Sequence, residues 1–301
     1  MILVTGGAGF IGSNIVEELV RRGEGVTVID NFSTGSPDNL KDVRKKVKVI
    51  RAPCASIPKI RISGLKRIFH IGIPSSSPMY RENPHLVGEA INDFINVMEL
   101  ARRESCPVVY ASTSSLYSGC KMPHREDMCS RPFDFYTEAR VAMERLAAMY
   151  HELHGVRSVG MRFFSVYGPR ERAKGIYANI VSQFIWAMVE DRAPVIYGDG
   201  NQTRDFVHVS DVVRACMLAS EADVDCEIVN VGTGKSTSFN QVIDIINELL
   251  GKSIKPTYLD NPIKNYVFHT KADLTKAKRL LGYVPQVGLR EGIERLLVEY
   301  R

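Results

Sequence analysis

Hydrophobic positions in the first half of the chain come alternately in short unbroken runs and in long spaced stripes. The run Ile2-Leu3-Val4 has the length of a buried strand. A glycine-rich turn follows it. Ile11, Ile15, Leu19 and Val20 then share one helical face, which ends at Gly23. Further runs predict strands at Val26-Thr27-Val28-Ile29, Val47-Lys48-Val49-Ile50, Arg67-Ile68-Phe69, Val108-Val109-Tyr110-Ala111 and residues 158–164. Between them, helical stripes cover residues 87–104 and 135–154. Strands alternating with helices predict a parallel, doubly wound α/β sheet of Rossmann type, and apolar residues at successive strand positions fit burial on both faces.

Past Tyr167-Gly168-Pro169 the rhythm changes. The pattern there predicts helices over 178–190, 210–220, 240–250 and 289–300, with strands at Val195-Ile196-Tyr197 and Glu227-Ile228-Val229-Asn230-Val231. We read a first domain over residues 1–165 and a smaller α/β substrate lobe over 166–301, some of whose segments return to the first sheet.

Composition narrows this little. A chain of 301 residues with 45% hydrophobic and 24% charged content can bury a proper core. The net charge of +5 is scattered, and its densest cluster, Arg44-Lys45-Lys46, reads as a solvated turn, so no nucleic-acid partner is expected. No apolar run approaches the ~20 residues of a membrane span, so none is expected to enter a bilayer. The first residues already read as core strand, so no signal peptide is expected ahead of the fold. The six cysteines show neither C-x-x-C pairs nor metal-like spacing with histidine. They read as thiols of a cytoplasmic protein without a metal site.

The first turn carries the strongest chemical signal. In Thr5-Gly6-Gly7-Ala8-Gly9-Phe10-Ile11-Gly12, Gly7, Gly9 and Gly12 fit G-x-G-x-x-G, and Gly6, Gly9 and Gly12 fit G-x-x-G-x-x-G. A side chain here would hold the backbone away from a pyrophosphate resting on the helix N-terminus. The next strand ends in Asp30, 18 residues beyond Gly12. An acid there accepts from adenosine ribose hydroxyls and repels a 2′-phosphate, so NAD is expected over NADP. Gly6, Gly9, Phe10, Ile11, Gly12, Asp30 and Asn31 are the candidate cofactor contacts.

Two further segments look chemical. Ala111-Ser112-Thr113-Ser114-Ser115-Leu116-Tyr117 places four hydroxyls at a strand's carboxyl end, where α/β sheets bind ligands, although such a run can also simply cap the next turn. Tyr136 and Arg140 lie four apart at a helix start and share one face. A cation beside a phenol favours the phenolate, which makes Tyr136 a candidate base, whereas most such pairs are surface contacts.

Together these segments resemble the extended short-chain dehydrogenase/reductases, and within them the UDP-glucose (UDP-galactose) 4-epimerases. The resemblance also rests on Ser13-Asn14, Tyr167-Gly168-Pro169-Arg170, residues 198–206, Asn230-Val231-Gly232-Thr233-Gly234 and Leu280-Leu281-Gly282. It implies an NAD-dependent 4-epimerase working through a transient 4-keto sugar, on UDP-glucose, UDP-galactose or their N-acetyl forms. Thr113 and Tyr136 would be catalytic, with Arg140 in the place of the family lysine, and Tyr136 and Arg140 would also meet the cofactor. Ser165, Arg204 and Thr270 would meet the UDP-sugar together with Thr113. Arg204 suits the diphosphate. The gate beside C2, two residues before Ala272-Asp273, falls on Thr270, with His269 or Lys271 as the alternatives, and Thr270 is small enough to admit an N-acetyl group. The resemblance further implies a homodimer through a four-helix bundle, with Ile91, Phe94, Ile95, Met98, Val141, Met143, Leu146 and Met149 at its seam.

The chain also departs from the family pattern. Pro53 stands where an Asp usually meets adenine, His70-Ile71-Gly72-Ile73-Pro74 replaces a His-Leu-Ala-Ala-type stretch, and the helical Asn-x-x-Gly-Thr near residues 90–94 is missing. Ser165 replaces an Asn, and no Arg-Pro-Gly-Asp precedes Ala272-Asp273. Arg140 keeps the charge of lysine and loses its compact shape. From sequence alone, Arg140→Lys is expected to keep or raise activity. The carboxylates that mark dehydratases and decarboxylases are absent, because Ser114 and Ser115 stand at their positions. Three readings stay open: an active 4-epimerase, a weakened binding relative acting as sensor or scaffold, and another dehydratase or reductase of the family.

Overall fold

The computed structural model describes residues 1–128, 132–261 and 266–300; Cys129 lies outside them. In chain order the strands are β1 (Ile2–Thr5), β2 (Val26–Asp30), β3 (Val47–Arg51), β4 (Arg67–His70), β5 (Val108–Thr113), β6 (Ser158–Phe163), β7 (Ser165–Tyr167), β8 (Val195–Tyr197), β9 (Thr203–Arg204), β10 (Phe206–His208), β11 (Cys226–Val231), β12 (Thr237–Ser238) and β13 (Thr257–Leu259). The helices are α1 (Phe10–Arg21), α2 (Ser77–Glu82), α3 (Leu86–Glu104), α4 (Phe135–His154), α5 (Ile180–Val189), α6 (Val209–Glu221), α7 (Phe239–Leu250), α8 (Thr275–Leu281) and α9 (Leu289–Tyr300).

Seven strands form one parallel sheet in the order β11-β6-β5-β4-β1-β2-β3. The apolar runs are buried on both sides, and the two-residue period of the pleat divides them. Val4, Val28, Phe69 and Val109 point into a core shared with α1 and α6. Their chain neighbours Leu3, Ile29, Ile68 and Val108 point into a second core, shared with α3 and α4. The seventh strand, β11, comes from beyond residue 165 and pairs with β6. A third core gathers Val181, Phe184, Ile196, Phe206, Val242, Ile246, Ile293 and Leu296 from α5, β8, β10, α7 and α9. Among the described residues, no helix is long and apolar enough to cross a membrane.

The stripes on α3 and α4 divide differently from the sequence expectation. Phe94, Met98 and Met143 are fully enclosed in this chain's own core. Ile91, Ile95, Val141 and Leu146 are half-buried, and Met149 is exposed. The two helices pack against each other as well as on the sheet, which uses the inner half of each stripe.

A buried ionic network ties α4 to β5 and β6. Arg162 Nη2 donates to Glu144 Oε2 at 2.8 Å and Arg162 Nε to Glu144 Oε1 at 2.9 Å, while Ser112 Oγ donates to Glu144 Oε1 at 2.6 Å. Arg162 Nη1 reaches the Tyr117 hydroxyl at 2.8 Å. Removing one member of such a pair strands the other charge in the interior. Glu144→Ala should therefore cost about 3–5 kcal/mol of stability, read by urea unfolding. A loss under about 1 kcal/mol would show that water reaches Arg162 freely.

Candidate active site

The glycine turn brings three backbone segments closer together than side chains allow. Gly6 has φ +66°, and a Cβ there would lie 2.5 Å from Gly72 Cα. A Cβ on Gly12 would run into the Gly6 carbonyl oxygen. Helix α1 begins from Gly9 with no side-chain cap and no acid in its first turn. The N–H groups of Phe10, Ile11 and Gly12 have no carbonyl a turn earlier to meet, so they form an uncompensated positive end. Gly6, Gly9, Phe10, Ile11 and Gly12 all line a cavity of about 740 Å³. This cradle fits the diphosphate of NAD.

Asp30 ends β2 beside that turn, and backbone donors fix its carboxylate. Ala8 N–H donates to Oδ2 at 2.8 Å and Phe32 N–H to Oδ1 at 2.7 Å. Its remaining lone pairs can accept from a ribose diol, and both Asp30 and Asn31 line the cavity. Thr5 holds the opposite side of the turn. Its hydroxyl pairs with His70 Nδ1 at 2.8 Å and accepts from Gly72 N–H at 3.2 Å. Burial, and then the charge of Arg140, push His70 down to about 3, so its ring is neutral.

The second group of candidates stands further along the same cavity. Thr113 ends β5, lines the cavity and accepts from Ser115 N–H at 3.2 Å, so it also caps the short turn that follows. Thr113 is thus a capping residue that also lines the cavity. The Ser112 hydroxyl is committed to Glu144, while Ser114 and Ser115 line the cavity. Tyr136 sits in the first turn of α4, whose start is fixed by a capping box between Asp134 and Thr137. Asp134 also accepts from Ser77 Oγ at 2.5 Å, which ties α2 to that start.

Arg140 is the residue whose surroundings the sequence conceals. Its guanidinium carbon lies 4.6 Å from the centre of the Tyr136 ring. Nη2 donates to the Pro74 carbonyl at 2.6 Å and Nη1 to the Tyr80 hydroxyl at 3.2 Å. Tyr80 is fully buried and packs edge-on against Tyr136 at 5.5 Å. The planar fork thus bridges two anchors that a single ammonium would not span in the same way.

The lobe supplies the far wall. Ser165 is held by β7 pairing with β10 and lines the cavity. Arg204 donates Nη1 to the carbonyls of Thr203 and Phe268, at 2.9 and 3.1 Å, and packs over Tyr266 and Phe239. Among the described residues no carboxylate pairs with it, so a half-buried cation faces the cavity. Thr270 lines the same wall, and its hydroxyl accepts from Asp205 N–H at 3.1 Å. Neighbouring His269 and Lys271 are exposed.

All the sequence-derived candidates thus meet in one cavity. Sequence reasoning missed Tyr80 and Pro74 as partners of Arg140, because short helix α2 carries no stripe of its own. It also missed Asp93, which lines the cavity from α3. A signal was present: Asp93 lies three after Ala90 and four before Val97, both buried, so a carboxylate occupies the inward stripe.

The profile described as the NAD dependent epimerase/dehydratase family matches residues 2–232. The structure of UDP-glucose 4-epimerase with UDP-glucose from Thermotoga maritima superposes with a TM-score of 0.92 at 32% identity, covering 99% of this chain and 97% of that one. The UDP-glucuronic acid 4-epimerase of Bacillus cereus, in complex with UDP-glucuronic acid and NAD, gives a TM-score of 0.87 at 28% identity over 97% and 96% of the two chains. UDP-glucuronic acid decarboxylase 1 of Arabidopsis thaliana is 31% identical over 100% of this chain and 69% of its own length. With the glycine cradle, the fixed Asp30 and a parallel seven-stranded sheet in place, the chain belongs to the NAD-dependent epimerase/dehydratase family of extended short-chain dehydrogenase/reductases.

Proposed function

We propose that the protein is a nucleotide-sugar 4-epimerase that interconverts UDP-glucose and UDP-galactose, or their N-acetyl forms. The observation that carries this reading is one cavity lined by the cofactor cradle, by Tyr136, Thr113 and Arg140, and by Arg204, which has no carboxylate partner among the described residues, with serines at 114 and 115. Dehydration and decarboxylation call for added acids there. Epimerisation needs a proton acceptor, a hydrogen-bonding hydroxyl and a cofactor.

The Tyr136 oxygen takes the proton of the sugar 4-hydroxyl, and the Thr113 hydroxyl holds that same oxygen of the sugar in line. Arg140 keeps positive charge beside Tyr136 while the proton arrives. NAD supplies the hydride acceptor and, in the return step, the donor. The 4-ketone is flat at C4, so turning the sugar over presents its other face. Arg204 offers two parallel donors to the diphosphate, which anchors the nucleotide while the sugar turns. The small Thr270 side chain on that wall supports acceptance of an N-acetyl group.

Turnover of UDP-galactose to UDP-glucose tests this reading. Tyr136→Phe should abolish it with NAD still bound, and Thr113→Ala should slow it about 10²–10⁴-fold. Full activity in Tyr136→Phe would remove the base, and NAD binding without any wild-type turnover would favour a sensor or scaffold. The anchoring of Arg140 by Tyr80 and Pro74 reverses the expectation drawn from sequence. Arg140→Lys gives up the two-point hold and should lower kcat on the order of tenfold, about 1.4 kcal/mol. Undiminished turnover would show that charge alone suffices.

Asp30 supports a preference for NAD. Titration of both cofactors should show NAD bound more tightly than NADP, with the gap narrowed in Asp30→Ala. Equal affinities in the wild type would overturn the role given to Asp30.

A homodimer is supported by the outer halves of α3 and α4, where Ile95 is half-buried and Met149 and Leu153 are exposed. Light scattering at micromolar concentration should give twice the mass of one chain, and Met149→Glu with Leu153→Glu should halve it. A monomeric wild type would exclude the bundle.

A further inference from the structure

The adenosine end of the cavity has a feature that the glycine cradle and Asp30 do not account for. With the diphosphate on α1 and the ribose on Asp30, the adenine lies beyond Asp30. Ala52, Pro53, Cys54, Ile71 and Ile73 line the cavity on that side and form an apolar slot suited to a flat ring. Asp93 interrupts it. The carboxylate lines the cavity from α3, is half-buried, and has no hydrogen-bond or ion-pair partner among the described residues. It stands near the Cys54 thiol: burial, and then the Asp93 charge, push that thiol up to about 12. Cys54 Sγ in turn contacts the Gly72 carbonyl at 3.9 Å, which places this wall next to the glycine turn.

A half-buried carboxylate without a partner is costly unless a ligand supplies the donor. When ionised it only accepts hydrogen bonds. Burial, and then the like charge of Glu89, raise Asp93 to about 6, which still leaves it mostly ionised above neutrality. Adenine offers one strong donor at its edge, the exocyclic amino group. Hypoxanthine, of nearly the same shape, carries a carbonyl at that position and its N–H one atom along, at N1, so a carboxylate aimed at the 6-position meets a lone pair there instead of a donor.

We propose that Asp93 accepts a hydrogen bond from the exocyclic amino group of the cofactor's adenine and so selects adenine over a 6-oxopurine. The assignment rests on NAD occupying this cavity. Pro53, on the facing loop, has no N–H or polar side chain to offer the base.

The full chain, freed of bound nucleotide with charcoal, can be titrated with NAD and with nicotinamide hypoxanthine dinucleotide. The wild type should bind NAD at least about tenfold more tightly, the worth of one charge-assisted hydrogen bond. Asp93→Asn, nearly isosteric, can turn its amide towards a carbonyl, so the ratio should collapse, mainly through tighter binding of the hypoxanthine dinucleotide. Asp93→Ala should lose affinity for NAD and gain nothing comparable for the other. Thermal unfolding identifies any variant that fails to fold, and Asp93→Asn then decides alone. An unchanged ratio in folded Asp93→Asn, or no preference in the wild type, overturns the proposal. A wild type that binds neither dinucleotide would instead strike the cofactor assignment.

Discussion

Three stretches of backbone meet around Gly6, and every other part of the site takes its position from that meeting. The Gly6-Gly7 turn, the start of α1 and the Gly72 loop approach so closely that a Cβ on either Gly6 or Gly12 would force them apart. This close approach lets α1 begin directly at the sheet edge with its positive end open. The Thr5 hydroxyl, bonded to both His70 and Gly72, fixes the separation of β1 and β4 where the cofactor must pass. A charged His70 would meet Arg140 nearby, so the ring is buried neutral, with its Nε2 left without a hydrogen-bond partner among the described residues.

Charged side chains of both signs line the cavity, with Arg81, Glu89, Asp134 and Glu171 among them. Carboxylates stand at the adenosine end, in Asp30 and Asp93. Cations stand towards the lobe, in Arg204 and in Lys174, whose ammonium is shared with buried Glu171 at 3.3 Å. Arg140 lies between, held by a carbonyl and a phenol rather than by an acid. A carboxylate partner would have neutralised the field at Tyr136, whereas neutral acceptors hold the guanidinium and leave its charge in play. The Glu144–Arg162 pair sits behind β5 and braces the helix that carries Tyr136 against the strand that carries Thr113.

Much of this was legible in the sequence because it depends on local pattern. The unbroken run of β1, the glycine spacing, the acid closing β2 and the Tyr-Arg spacing on α4 each state their geometry within a few residues. The ends of α4 agree with the stripe because Asp134 and Gly155 cap it. What the sequence concealed depends on contacts between distant segments. Tyr80 lies 60 positions before Arg140 and on a helix too short for a periodic signal. The inner halves of the α3 and α4 stripes belong to this chain's core, because both helices also pack on the sheet and α3 packs on the turn at Cys54–Lys59. Asp93 was hidden in plain view, since a lone acid in an amphipathic helix reads as solvated until the facing wall is known.

The central claim is that one bound cofactor takes a hydride from C4 of a nucleotide sugar and returns it to the opposite face inside this cavity. UDP-galactose deuterated at C4, incubated with the protein without added NAD and followed by NMR, tests that most directly. The account predicts UDP-glucose with deuterium retained at C4 in nearly every product molecule. Product that has exchanged C4 deuterium for solvent hydrogen, or no product from protein that carries NAD, would contradict it.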